Sequence, residues 1–446
     1  MNETVLHRWL ARVVAVRPGE VRAMCWSFAY FFCLLAGYYV LRPLRDEMGI
    51  AGGVRNLPWL FTATFIVMLA VVPVFGAMVA RLPRRLFIPL VYHFFVANIA
   101  VFWLLLTLDI GKVHVARVFF VWISVFNLFA VSVFWSFMAD LFASEQGKRL
   151  FGFIAAGGSA GALLGPAVTV GLALPLGPVN LLIVAALLLE AAVLCARRLE
   201  FAAPQLKTGT GMSTGAAPST QRDAPGDKEL GGGWLAGIAM VLRSPYLAGI
   251  ALWVSLLSLA GTFLYFQQAN IVAAASDDPA IRTRIFATID LAVGILTIVV
   301  QFLATGRLIT RFGAGPAAAF LPFVFCFGFL ALALTPALWV VIAFQAIQRA
   351  ANFAISNPAR EVLFTVLARE EKYKAKNVID IVVFRGMDAA SGWLFAALRG
   401  AGLELGTISL ATVPVTAGWL ALALALGRTH ERRTRDSDQS TTDKHR

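Results

Sequence analysis

Arg42 and Arg45 stand three residues apart and are followed by Asp46 and Glu47. On a helix that spacing puts both guanidiniums on one face. A fork of N–H donors there suits bidentate capture of a phosphate or carboxylate. The same charges would also serve as a snorkelling cluster that orients a helix at a membrane surface. A second group is Asp380, Arg385 and Asp388. Arg385 and Asp388 are again three apart, so one helical turn brings them together. They read as a substrate or proton-relay site, or as an internal ion pair, with Asp380 either in the helix or still in the preceding loop. Gln345, Gln348, Arg349 and Asn352 form a third group. Their spacings of three and four stack them on one face, either as a cavity wall or as interhelical hydrogen bonding. Asp290 and Glu190 are isolated carboxylates. Each could carry a coupling proton, and Asp290 could equally be interfacial.

The elements that must position these residues are apolar helices. Twelve stretches of membrane-spanning length run at 23–43, 58–80, 86–108, 116–138, 152–173, 178–197, 245–267, 285–306, 316–335, 337–357, 379–399 and 407–427. A span needs about 20 mostly apolar residues to cross a hydrocarbon core of about 30 Å. Inside it only closed backbone hydrogen bonding survives, which here means helices. The composition agrees, with 59% hydrophobic and 14% charged residues, where a soluble chain carries about 25% charge. Each charge within a span costs about 2.5–3.5 kcal/mol on insertion scales, so such residues are expected to face a bundle interior or a water-filled cavity.

Orientation follows from Lys and Arg in the loops. With the N-terminus in the cytoplasm, the cytoplasmic segments hold 28 of the 38 basic residues, the opposite loops eight, and the spans two, Arg349 and Arg385. Both termini are therefore expected inside. The net charge of +13 then reflects a basic inner face and calls for no nucleic-acid partner. The first span lacks a small-residue cleavage site and is too long for a signal-peptide core, so it is expected to be retained. Cys25, Cys33, Cys195 and Cys326 all fall in spans or at their ends and read as small apolar packers. Gly157, Gly161 and Gly165 recur every four residues in span 5, with Gly158 beside them, and read as a close helix contact.

The domain organisation is a cytoplasmic N-terminal segment 1–22, a six-helix bundle 23–197, a linker 198–244, a second six-helix bundle 245–427 and a cytoplasmic tail 428–446. Residues 201–233 are rich in Gly, Ser, Thr and Pro and cannot bury enough apolar surface to fold. Trp234–Leu242 could form a short amphipathic surface helix. The halves echo each other: GAMVARLPRR, from Gly76 to Arg85, follows span 2, and GRLITRFGAG, from Gly306 to Gly315, follows span 8. The loops after spans 4 and 10 match as well, with Glu145, Lys148 and Arg149 in one and Glu371, Lys374 and Lys376 in the other. Paired repeats of this kind mark transporters with a midplane site between related bundles.

These features resemble the major facilitator superfamily, whose loop signature is G-x-x-x-D-R-x-G-R-R. The chain keeps Gly76, Arg81, Arg84 and Arg85 and has Ala80 and Pro83 at the Asp and Gly positions; the second copy keeps Gly306, Arg311 and Gly313. GALLGP, Gly161 to Pro166, is similar to the front of the superfamily's antiporter signature. Within it, three segments resemble the ATP/ADP translocase branch of bacteria and plastids: YYVLRPLRDEMG at 38–49, FWSFMADLFASEQGKRLFG at 134–152, and EKYKAKNVIDIV at 371–382. That branch has an acid in span 7 and a lysine in span 11 where this chain has Tyr265 and Asp388.

The resemblance implies an all-α fold of twelve transmembrane helices in two pseudo-symmetric bundles, in a monomer of the bacterial inner membrane. The implied activity is secondary transport of a small anionic metabolite by alternating access, with nucleotide exchange as its most specific form. The alternatives are a proton-coupled transporter of another solute and a non-transporting scaffold or sensor. Substrate contacts are expected from Arg42, Arg45, Asp46, Gln345, Arg349, Arg385 and Asp388. Coupling and gating are expected from Arg81, Arg84, Arg85, Glu145, Arg149, Asp290, Arg311 and Asp380. The partners are then the lipid bilayer and the solute. The sequence has no G-x-x-x-x-G-K-[ST] phosphate loop, no G-x-S-x-G and no zinc spacing among its five histidines, so neither an enzyme nor a bound cofactor or metal is expected.

Overall fold

A computed structural model describes residues 16–81, 84–208, 234–301, 314–367, 371, 375, 376 and 378–443. The spans are Val21–Ala51, Leu57–Arg81, Arg84–Thr107, Lys112–Leu141, Ser144–Leu176, Leu181–Thr208, Pro245–Ala275, Pro279–Val300 and Ala314–Leu334 for spans 1 to 9. Span 10 runs through Leu338–Ala351, Asn352–Ser356 and Asn357–Leu363, and span 11 through Val378–Val383 and Phe384–Gly400. Span 12 is Leu405–Asp443. Among the described residues there is no strand. Eleven of these helices are long and apolar enough to cross a bilayer. Span 6 is the twelfth, and it carries Glu190, Arg197 and Arg198 along its length. By connectivity, odd-numbered spans finish on one side of the membrane, called distal here, and even-numbered spans begin there.

Several ends differ from the sequence expectation. Span 1 does not stop near residue 43 but continues to Ala51, so Arg42, Arg45, Asp46 and Glu47 lie inside it rather than at its outer end. Pro43 does not break it, because transmembrane helices tolerate proline when neighbours satisfy the freed carbonyl. It ends at Gly52 and Gly53. Gly53 takes φ +93°, a left-handed conformation that glycine adopts at little cost. Span 6 runs beyond 197 to Thr208, and span 12 beyond 427 to Asp443. Polar residues prolong both helices past the apolar stretch, span 6 continuing through Pro204. Trp234–Arg243 does form a short helix. Ser244 then caps span 7, its hydroxyl accepting from the Leu247 amide, with Pro245 in the first turn. The expected linker residues 209–233 and the Arg311 loop lie outside the described residues.

The chain forms two compact units. The first comprises residues 1–53, 66–224 and 278–291 and the second 54–65, 225–277 and 292–446. Each therefore takes in the distal start of one span, 2 or 8, whose remainder belongs to the other. In the first unit span 5 lies against span 1 along its glycine stripe. A Cβ at Gly157 would meet Phe28 O at 2.5 Å, one at Gly165 would meet Ala36 O at 2.6 Å, and one at Gly161 would run into Phe32 O and Ala36 N. The glycines are there so that two backbones can approach. Tyr30 donates to Tyr92 Oη at 2.7 Å, and Tyr92 donates to Ala130 O at 3.2 Å, tying spans 1, 3 and 4 together in the core.

At the proximal end of the same unit Glu20 collects four donors. These are the Arg17 amide at 3.0 Å, Gln146 Nε2 at 3.1 Å, and Arg149 Nη2 and Nη1 at 2.8 and 3.2 Å. Burial pushes the Glu20 carboxyl up, but these hydrogen bonds and the Arg149 charge outweigh it and hold its pKa below 4.5. A depressed carboxyl contributes stability that is present above the unfolded-chain pKa and is lost as pH falls through the folded one. Wild-type protein should therefore lose melting temperature on going from about pH 7 to pH values below 4.5, and Glu20→Gln should lose less over the same interval. Parallel melting curves at both pH values would contradict this.

The second unit is organised around span 12. Gly315 of span 9 meets Gly427 backbone to backbone, and Trp253, Phe325 and Trp419 pack ring on ring in its interior. Spans 10 and 11 each contain a π-helical stretch, Asn352–Ser356 and Val378–Val383. Wide turns of this kind recur at functional sites.

Candidate functional site

In the first unit, the long span 1 and the start of span 8 bring charges of opposite order together. Glu47 receives Arg282 Nε and Nη2, each at 2.7 Å, as a bidentate fork. The Glu47 side chain is 1% exposed and that of Arg282 11%. Five residues back along span 1, Arg42 Nη1 lies 3.6 Å from Asp290 Oδ1. Acid on span 1 faces base on span 8, and then base faces acid. Asp290 is thus buried well inside its helix, which starts at Pro279 rather than near 285, and it is not an interfacial carboxylate. The expected fork of Arg42 and Arg45 is split. Arg42 goes to Asp290 and over the Tyr39 ring, while Arg45 lies 4.4 Å above the Phe120 ring, with Nη1 at 3.9 Å from Asp46 Oδ1.

The second unit centres on Asp388. Its Oδ1 accepts from Ser258 Oγ at 2.7 Å and from Thr262 Oγ1 at 3.3 Å, both on span 7. Its Oδ2 lies 3.4 Å from Arg385 Nη1, the pair expected from their spacing. Ser258 also donates to Phe384 O at 3.0 Å, so one hydroxyl fixes both the carboxylate and the backbone at the end of the π-helical stretch. On span 10, Gln348 Nε2 donates to Gln345 Oε1 at 2.8 Å and both are buried; Arg349 is half-buried. Asn352 Oδ1 and Ser356 Oγ, both in the π-helical stretch, are buried without a hydrogen-bond partner among the described residues. Orphaned buried acceptors of this kind call for an unseen partner such as water or solute. Asp380 sits in the first turn of span 11, paired with Arg360 of span 10 at 3.2 Å, so it is not a loop residue. Lys376 donates to Glu361 at 2.6 and 2.7 Å nearby.

Among the residues expected to gate, Arg149 binds Glu20, and Glu145 is exposed in the first turn of span 5. Arg81, Arg84 and Arg85 lie on helical backbone, their side chains outside what the structure describes; Arg311 is outside altogether. Glu190 faces His93 Nε2 at 3.7 Å, both side chains well exposed. Sequence reasoning missed Arg282, Ser258, Thr262, Arg360 and Glu20. Only Glu47, one step from Asp46 in an internal charge cluster, hinted that a basic partner was needed.

No protein-family model and no curated protein matches the sequence. Solved structures do match it in shape. A bacterial homologue of the iron transporter ferroportin in an inward-facing state aligns with a TM-score of 0.59 at 12% identity, over 93% of this chain and 98% of that one. The nucleoside transporter NupG gives 0.58 at 12% identity, over 93% and 99%. A bacterial metal transporter gives 0.54 at 10% identity, over 93% and 98%. The chain has the major facilitator fold. Its charged and polar side chains within that fold gather on spans 1 and 8 in one unit and on spans 7, 10 and 11 in the other. Four of those five spans carry an ionisable residue inside the apolar region, and span 7 contributes hydroxyls to one of them.

Proposed function

We propose that this protein is a secondary active transporter of a small anionic solute, working by alternating access. The observation that carries the reading is the retention of Arg42, Arg45, Asp290, Arg385 and Asp388 within spans of a major facilitator fold. Each costs about 2.5–3.5 kcal/mol to insert, and a passive scaffold has no use for that cost. Arg385, with its side chain 39% exposed, and Arg45 are the anion contacts. In the first unit Asp46 flanks Arg45; in the second Asp388 pairs with Arg385, and Gln345 and Arg349 add polar groups on span 10. The pairs Glu47–Arg282 and Arg42–Asp290 hold the distal part of span 8 to span 1 in one state and release it in the other. The basic-residue asymmetry makes the distal side the outside. Arg149, Asp380, Glu145 and the basic loops around Arg81, Arg84, Arg85 and Arg311 act on the opposite side. Nucleotide exchange is the most specific form of this reading, supported by the Y-x-x-L-R pattern that contains Arg42.

The test is saturable uptake into proteoliposomes of labelled ATP, inorganic phosphate and a dicarboxylate. Arg45→Ala and Arg385→Ala should each abolish it without lowering membrane expression, and Arg8→Ala should not. Arg45→Lys keeps the charge but loses the fork. It should retain activity with apparent affinity weakened about tenfold, the worth of one charged hydrogen bond of about 1.5 kcal/mol. Unchanged uptake in both Ala variants would leave Arg45 as a packing contact over Phe120 and Arg385 as an internal ion pair.

A further inference from the structure

Within the second unit, the distal ends of spans 2, 7 and 11 enclose a cavity of about 500 Å³. Its wall is of two kinds. Arg55, Asn270 and Arg399 supply polar groups, and Pro58, Phe266 and Phe395 supply apolar surface. No carboxylate lines it, and neither arginine has an acidic partner among the described residues. We propose that this cavity binds a phosphate ester with an apolar body, the two guanidiniums holding the phosphate and the two phenyl rings the body.

Charge argues for the anion. Arg55 lies in the short turn Val54–Asn56 that opens into span 2. The first amides of a helix of 25 residues have no acceptor within it and add positive potential there. Arg399 is held in place because its Nη1 donates to Leu403 O at 2.9 Å. That leaves the rest of its fork for a ligand, and arginine forks match phosphate geometry. Volume argues for the body. Cavities that hold small molecules span about 300–1,000 Å³, and a bare phosphate would fill only a small part of this one. Its remaining wall, which adds Val54 and Ala396 to Pro58 and the two rings, is apolar and would stay wet around an inorganic ion. The wall is also built to keep its shape. Trp393 Nε1 donates to Thr62 Oγ1 at 3.0 Å, Trp59 packs edge-on against Trp393, and Gly392 lets the Phe266 ring approach span 11.

One chemistry here has two sources, a phospholipid headgroup from the facing leaflet or a soluble phosphate ester. Titration calorimetry on the full-length protein in detergent, with phenyl phosphate as probe, tests the site. Phenyl phosphate should bind, inorganic phosphate should bind at least about tenfold more weakly, and the double variant Arg55→Gln/Arg399→Gln should lose at least about tenfold in affinity for phenyl phosphate. Both arginines are exposed, and an unchanged melting temperature will show that the variant is folded. In nanodiscs, loss of phenyl phosphate binding with phosphatidylglycerol but not with phosphatidylcholine assigns the site to lipid. Equal binding in both assigns it to a soluble ester. Absence of binding, equal affinity of the double variant, or inorganic phosphate as tight as phenyl phosphate would overturn the proposal. The result is independent of uptake, since Arg55 and Arg399 are not among the residues assigned to transport.

Discussion

Arg282→Gln should destabilise the protein by about 3–5 kcal/mol, the cost of leaving one member of a buried ion pair without its counter-charge. Glu47 is then left buried with both oxygens stripped of the bidentate fork. Glu47→Gln should cost less, because the charge it leaves, Arg282, is 11% exposed and partly reaches solvent, whereas Glu47 is 1% exposed. Arg282→Lys keeps the charge without the planar fork and should fall between wild type and Arg282→Gln. The melting temperature of purified protein measures all three. A variant series that melts within about one degree of wild type would mean that the pair contributes nothing, as many exposed pairs do. Its burial argues otherwise.

Gly161→Ala should be as damaging as any single-methyl change in the chain. The added Cβ would run into Phe32 O and reach Ala36 N at 2.9 Å, so what must move is span 1 backbone rather than a flexible side chain. Overpacking of a tight contact costs typically about 1–3 kcal/mol, and here the upper end is expected. Gly171→Ala on the same helix is the control. A Cβ there meets nothing within 4 Å, and alanine in a helix is favoured over glycine by about 0.5–1 kcal/mol. The two variants should therefore move the melting temperature in opposite directions. Equal shifts would show that the glycine stripe is not the contact that holds spans 1 and 5 together.

How far the sequence reached depends on the length scale of the signal. Helix number and order were legible, because a run of apolar residues long enough to cross a bilayer rarely folds as anything but a transmembrane helix. The glycine spacing of span 5 and the Arg385–Asp388 pair were legible too, since both depend only on helical geometry. The end of span 1 was not, because charge at the end of an apolar run looks like the membrane interface. Arg42 and Glu47 instead sit inside the helix with partners more than 200 positions away, Asp290 and Arg282. Neither partner is marked by its own neighbourhood. Ser258 and Thr262 were missed for the same reason: hydroxyls in an apolar helix look like ordinary packing until Asp388, 130 positions beyond Ser258, is placed against them. The π-helical stretches left no trace in periodicity, because one extra residue in a turn shifts the pattern by less than its natural scatter.

The most direct measurement is counterflow in proteoliposomes. Vesicles preloaded with an unlabelled nucleotide, inorganic phosphate or dicarboxylate are diluted into a trace of the same labelled compound, with Arg385→Ala vesicles as the matched blank. An alternating-access carrier exchanges one molecule for another, so the label should accumulate transiently above equilibrium for at least one of these anions in wild type and stay at the blank level in the variant. Wild-type vesicles that hold folded protein and remain at the blank level for every anion would contradict the account.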